Sequence, residues 1–353
     1  MDYKLELEDM LTTVIREGGS DLHLSEGRHP TIRVSGVLLP LVRKPILTKE
    51  DTFGLAQQLL TKINLDLFVA TKEIDFSYNH TTGDRFRGNG YYQQGSMSFA
   101  LRLVQRKIRT FEELNLPPVL EEFIDKQQGF FLVVGPVGHG KSTTLAAMID
   151  RINSTRAEHI ITIEDPVEYI YEQKKSIIDQ REVRVDTDDF HIALLSVFRE
   201  DVDVVLIGEM RGVDTIGTAV TAAETGHLVL STLHTNNAAQ TISRIIDSFP
   251  AGQQDQIRVQ LASSLTGIFS QRLVPRIAGG LVPAYELLIN NNAVANLIRE
   301  NRTHEINSVI ETSSQEGMVD MNHSLAELVR RGEITVETAY QFSLNPKVLE
   351  HLL

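Results

Sequence analysis

The run Gly135-Pro136-Val137-Gly138-His139-Gly140-Lys141-Ser142 follows the pattern G-x-x-x-x-G-K-[ST]. That spacing suits the binding of a polyphosphate. Its glycines let backbone N–H groups close around phosphate oxygens, and the N-terminus of a following helix adds favourable partial charge. Lys141 would reach the β- and γ-phosphates of ATP, and the Ser142 hydroxyl would ligate Mg²⁺. The whole run, extended by Thr143, is the candidate nucleotide contact.

Two further segments would bring carboxylates to such a site. Asp203-Val204-Val205-Leu206-Ile207-Gly208-Glu209 reads as a strand that ends in an acid, and Ile161-Thr162-Ile163-Glu164-Asp165-Pro166 follows the same logic. An acid at the end of a parallel strand faces the metal and the attacking water in a phosphate-binding fold. Glu209 is the first choice for polarising water and Glu164 the second, with the roles exchangeable. Both join Ser142 as candidate Mg²⁺ ligands. Asp165 could instead cap a helix. His227 and His234 flank an apolar strand. Seven residues apart they would not share a face, which argues against a common metal. His234 is placed to sense a γ-phosphate or touch a neighbouring subunit. His227 reads as a structural or interface group, and either ring could simply be a satisfied histidine.

These residues need a scaffold. Phe130–Val134 reads as a buried strand leading into the phosphate loop, and Ser142–Ile149 as a helix leading out. His159–Ile163, Val204–Ile207 and His227–Leu230 are similar short apolar runs separated by helical stretches. That alternation predicts a parallel sheet covered on both faces, a doubly wound α/β fold. The chain after Glu286, about residues 287–353, reads as helical to its end. Ahead of the phosphate loop the pattern is different. Leu7, Met10, Leu11, Val14 and Ile15 give the first nineteen residues, Met1 to Gly19, a helical stripe closed by Gly18-Gly19. Strands are expected at Asp21–Leu24, Thr31–Val34, Ile74–Tyr78, Arg85–Asn89 and Ser98–Leu103, with a helix over Thr48–Leu60. This is a small α+β domain over 1–109, joined to residues 119–353 by a proline-marked linker at 110–118.

Composition sets outer limits. The 353 residues are 42% hydrophobic and 23% charged, ordinary for a globular chain with two domains. There is no cysteine, hence no disulfide frame and no thiolate metal site. No apolar run approaches the roughly 18 residues of a spanning helix, and the acidic N-terminus lacks a signal-peptide core. The expected location is cytoplasmic. A formal net charge of −13 argues against nucleic acid as a partner of the whole surface.

In this order the phosphate loop, the Glu164 segment, the Glu209 strand and the His234 segment resemble the secretion-type ATPase superfamily. The stretch Arg199–Arg211 with Thr221–His227, the Ser20–Ser25 and Arg85–Arg87 segments, and Ala293–Glu300 resemble its PilT-type branch, the retraction ATPases of type IV pili. The resemblance covers nearly the whole chain. It implies a PAS-like N-terminal domain and a RecA-like P-loop ATPase domain, assembled as a homohexamer. The ring would act peripherally, on the cytoplasmic face of an inner-membrane pilus platform protein, with a paralogous ATPase as a further candidate partner. It also implies that Arg87 and Arg102 reach ATP when domains close. Arg85 and Arg87 alternate at strand period two, and a solvated strand face is the competing reading. Extension ATPases of the superfamily normally carry a four-cysteine zinc motif and a longer N-terminal region; neither is present here, which favours the retraction branch. Four residues depart from the branch pattern. Val137 and His139 replace Thr and Ser, Gly212 stands where Asp follows Glu209-Met210-Arg211, and Ala295 replaces an Arg.

The leading function is therefore an ATP-driven retraction motor. Competing readings are a PilU-like accessory subunit that binds ATP and hydrolyses it weakly, and a DNA translocase. The acidic balance and the lack of a basic aromatic strip count against the last.

Overall fold

The computed structural model describes residues 2–34, 36–104, 107–210 and 212–353. Met1 and Arg211, which fall in segments read above, lie outside them. Contacts divide the chain into two compact units. The first takes the chain up to residue 106 together with Glu168–Ile170, and the second takes 107–167 and 171–353.

The first unit runs α1 (Tyr3–Arg16), β1 (Gly19–Ser25), β2 (Thr31–Val34), β3 (Val37–Pro40), α2 (Lys49–Leu59), α3 (Lys62–Thr71), β4 (Glu73–Asn79), β5 (Arg85–Gln93) and β6 (Ser96–Leu103). Its antiparallel sheet has the order β3-β2-β1-β6-β5-β4. Asp2 starts α1 by accepting from the backbone N–H groups of Lys4 and Leu5, and Leu7, Met10, Leu11 and Val14 form its buried stripe. The helix stops at Arg16. Gly18 then takes the left-handed φ of +63°, and Gly19 opens β1 instead of closing the helix. A capping box between Thr48 and Asp51 starts α2. Along β5, Phe86, Gly88 and Gly90 face the core while Arg85, Arg87 and Asn89 face the other way. A Cβ on Gly88 would come within 2.3 Å of the Phe76 ring, so the core admits no side chain there. Two elements were not expected. α3 buries only Phe68, and all four residues of β3 are exposed, so neither shows the periodicity that marks a helix or a half-buried strand.

The second unit begins with α4 (Phe111–Leu114) and α5 (Glu121–Ile124). Residues 110–118 thus carry a helical turn, capped by Thr110 and anchored by buried Phe111. The chain continues through β7 (Gly129–Val134), α6 (Lys141–Thr155), β8 (His159–Glu164), β9 (Ile177–Glu182), α7 (Phe190–Val197), β10 (Val204–Ile207), α8 (Val213–Glu224), β11 (Leu228–Leu233), α9 (Ala238–Asp247), α10 (Ala251–Ser264), β12 (Leu265–Pro275) and β13 (Leu281–Ile289). Helices α11 (Asn292–Arg299), α12 (Ile306–Thr312), α13 (Met321–Arg330), α14 (Val336–Phe342) and α15 (Pro346–Leu352) complete it. The sheet order is β13-β12-β7-β11-β10-β8-β9, parallel except for β13. Every residue of β7, β10 and β11 is buried, which is why these strands read as unbroken apolar runs. The α/β architecture expected from the sequence is therefore present.

One expectation needs correcting. The chain is not all-helical after Glu286, because β13 passes through that residue to Ile289, and Leu287 bridges Val319. β13 is an edge strand, where Pro283 is tolerated.

Candidate active site

The phosphate loop is closed from outside its own motif. Gly135 has φ +144°, and a Cβ there would lie 2.3 Å from the Gln271 carbonyl oxygen on β12, so only glycine fits. Gly138 and Gly140 take φ +80°, and Gly140 caps α6. The Gln271 side-chain amide donates to the His139 carbonyl (2.9 Å), and its oxygen accepts from the Thr144 hydroxyl (2.6 Å). The Leu273 N–H donates to His139 Nδ1 (2.9 Å). His139 is thus a brace between the loop and β12. Burial, then the Arg272 and Lys141 charges, hold its imidazole below the ordinary histidine value.

Parallel register aligns the other groups along the same sheet edge. Ile163 pairs with Ile207, Ile207 with Ser231, and Leu233 with Val134. Glu164, Glu209, His234 and the phosphate loop follow directly from these strand ends. Buried Lys141 donates to the carbonyls of Gly135 and Pro136, both at 2.9 Å, and its Nζ lies 3.2 Å from His234 Nδ1. An ammonium can only donate, so Nδ1 accepts and the ring proton sits on Nε2. That nitrogen is 3.8 Å from the Glu209 carboxylate. His234 therefore lies between the lysine and the acid. Glu164 is buried and accepts from the Thr162 hydroxyl (2.7 Å). Ser142 and Thr143, both half-buried, lie in the first turn of α6.

Asp165 begins no helix; it pairs with Arg184 at 2.9 Å. His227 lies at the opposite end of β11 from His234, with Nδ1 3.0 Å from the Ala222 carbonyl and its ring edge-on to Phe198. Among the described residues, no group of three or more His, Asp or Glu side chains is placed to hold a metal ion. A Mg²⁺ that rides on phosphate oxygens and waters needs only one or two protein ligands, and Ser142, Glu164 and Glu209 offer oxygen donors of the right kind.

Arg87 and Arg102 belong to the first unit, where they are direct cross-strand partners. Arg102 also faces Asp21 on β1, and Asp21 faces Arg33 on β2. One transverse row thus carries Arg33, Asp21, Arg102 and Arg87. Arg102 Nε donates to Asp21 Oδ1 (2.9 Å), and Ser20 donates to Oδ2 (2.6 Å). Burial opposes ionisation of Asp21, but the Ser20 and Arg102 hydrogen bonds outweigh it and keep the carboxyl below its usual range. Arg87 Nη1 lies 3.7 Å from Glu168, which groups with the same unit.

Comparison with known proteins places this arrangement. Residues 96–341 match the family described as Type II/IV secretion system protein. The chain belongs to that family. Within the Type II/IV secretion system family, it is 41% identical over 343 residues to the type IV pilus retraction ATPase PilT of Pseudomonas aeruginosa, covering 97% of this chain and 99% of that one. It is 39% identical over 336 residues to the type IV pilus ATPase PilU of the same bacterium, covering 95% and 88%. A crystal structure of the pilus retraction motor PilT with bound ADP matches with a TM-score of 0.91 at 46% identity, over 98% of each chain. The chain is a nucleotide-binding ATPase of the Type II/IV secretion system family. Among its described residues, no helix is long and apolar enough to cross a membrane.

In this family member three site residues escaped the sequence reading. Gln271 closes the phosphate loop, Glu182 accepts from the Val167 N–H (3.0 Å) behind the Glu164 segment, and Glu286 accepts from the Ala238 N–H (2.7 Å). The available signal was a polar residue inside an apolar strand, as with Ser270-Gln271 within Leu265–Pro275.

Proposed function

We propose that this chain is a type IV pilus retraction motor, a homohexameric ATPase that converts ATP hydrolysis into pilin disassembly and so drives twitching motility. The observation that carries the reading is the Lys141–His234–Glu209 chain at the mouth of a phosphate loop, in a fold shared with the ADP-bound PilT structure. In the RecA-like domain (119–353, with its helical segment from Asn292), the P-loop N–H groups between Gly135 and Thr143, Pro136 having none, hold the polyphosphate, and Lys141 screens the β- and γ-oxygens. Ser142, Glu164 and Glu209 would hold Mg²⁺, which when bound neutralises charge between the β- and γ-phosphates. Glu209 polarises the attacking water, with Glu164 the alternative base. His234, polarised by Lys141 on one side, presents Nε2–H beside Glu209 toward the γ-phosphoryl group. Arg87 and Arg102 of the PAS-like domain would come to ATP as that domain closes and would stabilise charge developing on the phosphoryl oxygens. Repeated around a ring on the cytoplasmic face of an inner-membrane platform protein, such closures would move a filament.

The accessory reading retains one supporting observation, the 39% identity to PilU. Steady-state phosphate release separates the two. A retraction motor turns over ATP with Mg²⁺, and Lys141→Ala abolishes it. Undiminished turnover in Lys141→Ala would remove the phosphate-loop assignment, and binding without turnover in the wild type would favour the accessory role.

A further inference from the structure

The loop carrying His234 is held in place by hydrogen bonds at the residues that follow it. Thr235 and Thr241 hydroxyls meet at 2.6 Å. Asn236 N–H donates to Gln240 Oε1 (2.8 Å), while its carbonyl accepts from the Ser270 hydroxyl (2.9 Å). Asn237 caps α9 by accepting from the Gln240 N–H (2.8 Å). The next N–H, that of Ala238, donates to Glu286 Oε1 at 2.7 Å. Most of these partners are local, within the loop and the first turn of α9. Ser270 and Glu286 are not. They face each other across the β12–β13 ladder, and Ser270 pairs on its other side with Val134, the last residue before the phosphate loop. The row Glu286, Ser270, Val134, Leu233 therefore spans four adjacent strands at the level where both loops leave the sheet.

A carboxylate is a costly choice for this position. Glu286 is 4% exposed. The Ala238 N–H needs a single acceptor, and a neutral side chain would supply one at lower desolvation cost. The glutamate makes sense where a charge-assisted bond must fix the helix start more firmly than a neutral one.

We infer that Glu286 is a positioning residue, whose bond to Ala238 sets the start of α9 and so holds His234 between Lys141 and Glu209. This rests on the reading of His234 as the group that meets the γ-phosphoryl. The role is distinct from binding nucleotide, because Glu286 sits two strands away from the phosphate-loop strand. Its loss acts on turnover and leaves the loop that grips the nucleotide in place. Of the elements packed against β13, β12 brings the Arg272 guanidinium, α13 brings the Asp320 carboxylate at its N-cap, and α9 brings only N–H. Burial first, then Asp320, push the Glu286 carboxyl up to about 7, so the strong ionised bond forms mainly above neutrality.

The test compares full-length wild type, Glu286→Gln, Ser270→Ala, His234→Ala and the double variant His234→Ala/Glu286→Gln. Turnover is read by phosphate release and affinity by fluorescent ADP titration. Glu286→Gln should lower kcat on the order of 10-fold, as loss of a residue supporting a catalytic group does, with ADP Kd within about 2-fold of wild type. Wild-type kcat should fall below pH 7, and that fall should flatten in Glu286→Gln. Ser270→Ala, which leaves the charge untouched, should show a smaller kcat loss of the same kind if the glutamine variant folds poorly. In the His234→Ala background Glu286→Gln should cost nothing more. Additive losses, parallel weakening of ADP binding, or wild-type kcat in both single variants would overturn the positioning role alone. Wild-type turnover in His234→Ala would overturn the reading of His234 and this inference with it.

Discussion

At His139 the structure sets a constraint on protonation. The ring accepts the Leu273 N–H at Nδ1, so a proton on that nitrogen would break the brace. The folded-state pKa is depressed, so the histidine contributes stability above its unfolded value of 6.5 and loses it as pH falls through the lower folded value. The thermal midpoint of the wild type, relative to His139→Ser, should therefore be highest above pH 6.5 and fall away on acidification. A difference that stays constant with pH would show that the brace does not depend on the neutral ring. The acids allow a second test. Glu209→Gln should keep nucleotide binding and lower turnover by on the order of 10²-fold, as loss of a general base does. A larger loss in Glu164→Gln would reverse the ranking of the two. The phosphate loop was legible because one contiguous run carries it. Gln271 and Glu286 were not, because their partners, His139 and Ala238, lie 132 and 48 residues away in the chain.

Strand pairing decides what the arginines can do. Because β5 and β6 are antiparallel with Arg87 opposite Arg102, two like charges sit side by side, and Asp21 on β1 lies on the far side of Arg102. The Arg102 side chain is 72% exposed, so its ion pair with Asp21 contributes little to stability and serves mainly to orient the guanidinium. Arg87→Ala and Arg102→Ala should each lower kcat far more than they weaken nucleotide binding, with Lys rescuing poorly because it lacks the planar fork. Wild-type turnover in both alanine variants would return these residues to a solvated strand face. The alternation of Arg85 and Arg87 was readable from period two alone. The hairpin partner strand β13 was not, because its apolar run carries Pro283 and shows no clean alternation, with Pro283, Ala284, Glu286, Leu287 and Leu288 all buried.

For the molecule as a whole, composition gave the class but not the assembly. The acidic balance argued against nucleic acid as a partner of the whole surface, and the absence of cysteine left no thiolate metal frame, without naming a ring. Light scattering with ATP and Mg²⁺ should give about six times the 39.5 kDa chain mass. A mass that stays at one chain would count against the homohexamer.

The brace on the phosphate loop also fixes an order of events in synthesis. β7 emerges early, but its neighbours in the sheet are β11 and β12, and the loop it carries is closed by Gln271 and Leu273, more than 130 residues downstream of Val134. A ribosome-bound chain that ends before β12 has made every residue of the nucleotide motif and lacks the contacts that shape it. Pairings this distant in sequence form late, after the entropy of closing a long loop has been met. Competence to hold ATP is therefore expected only when the ATPase sheet is nearly finished.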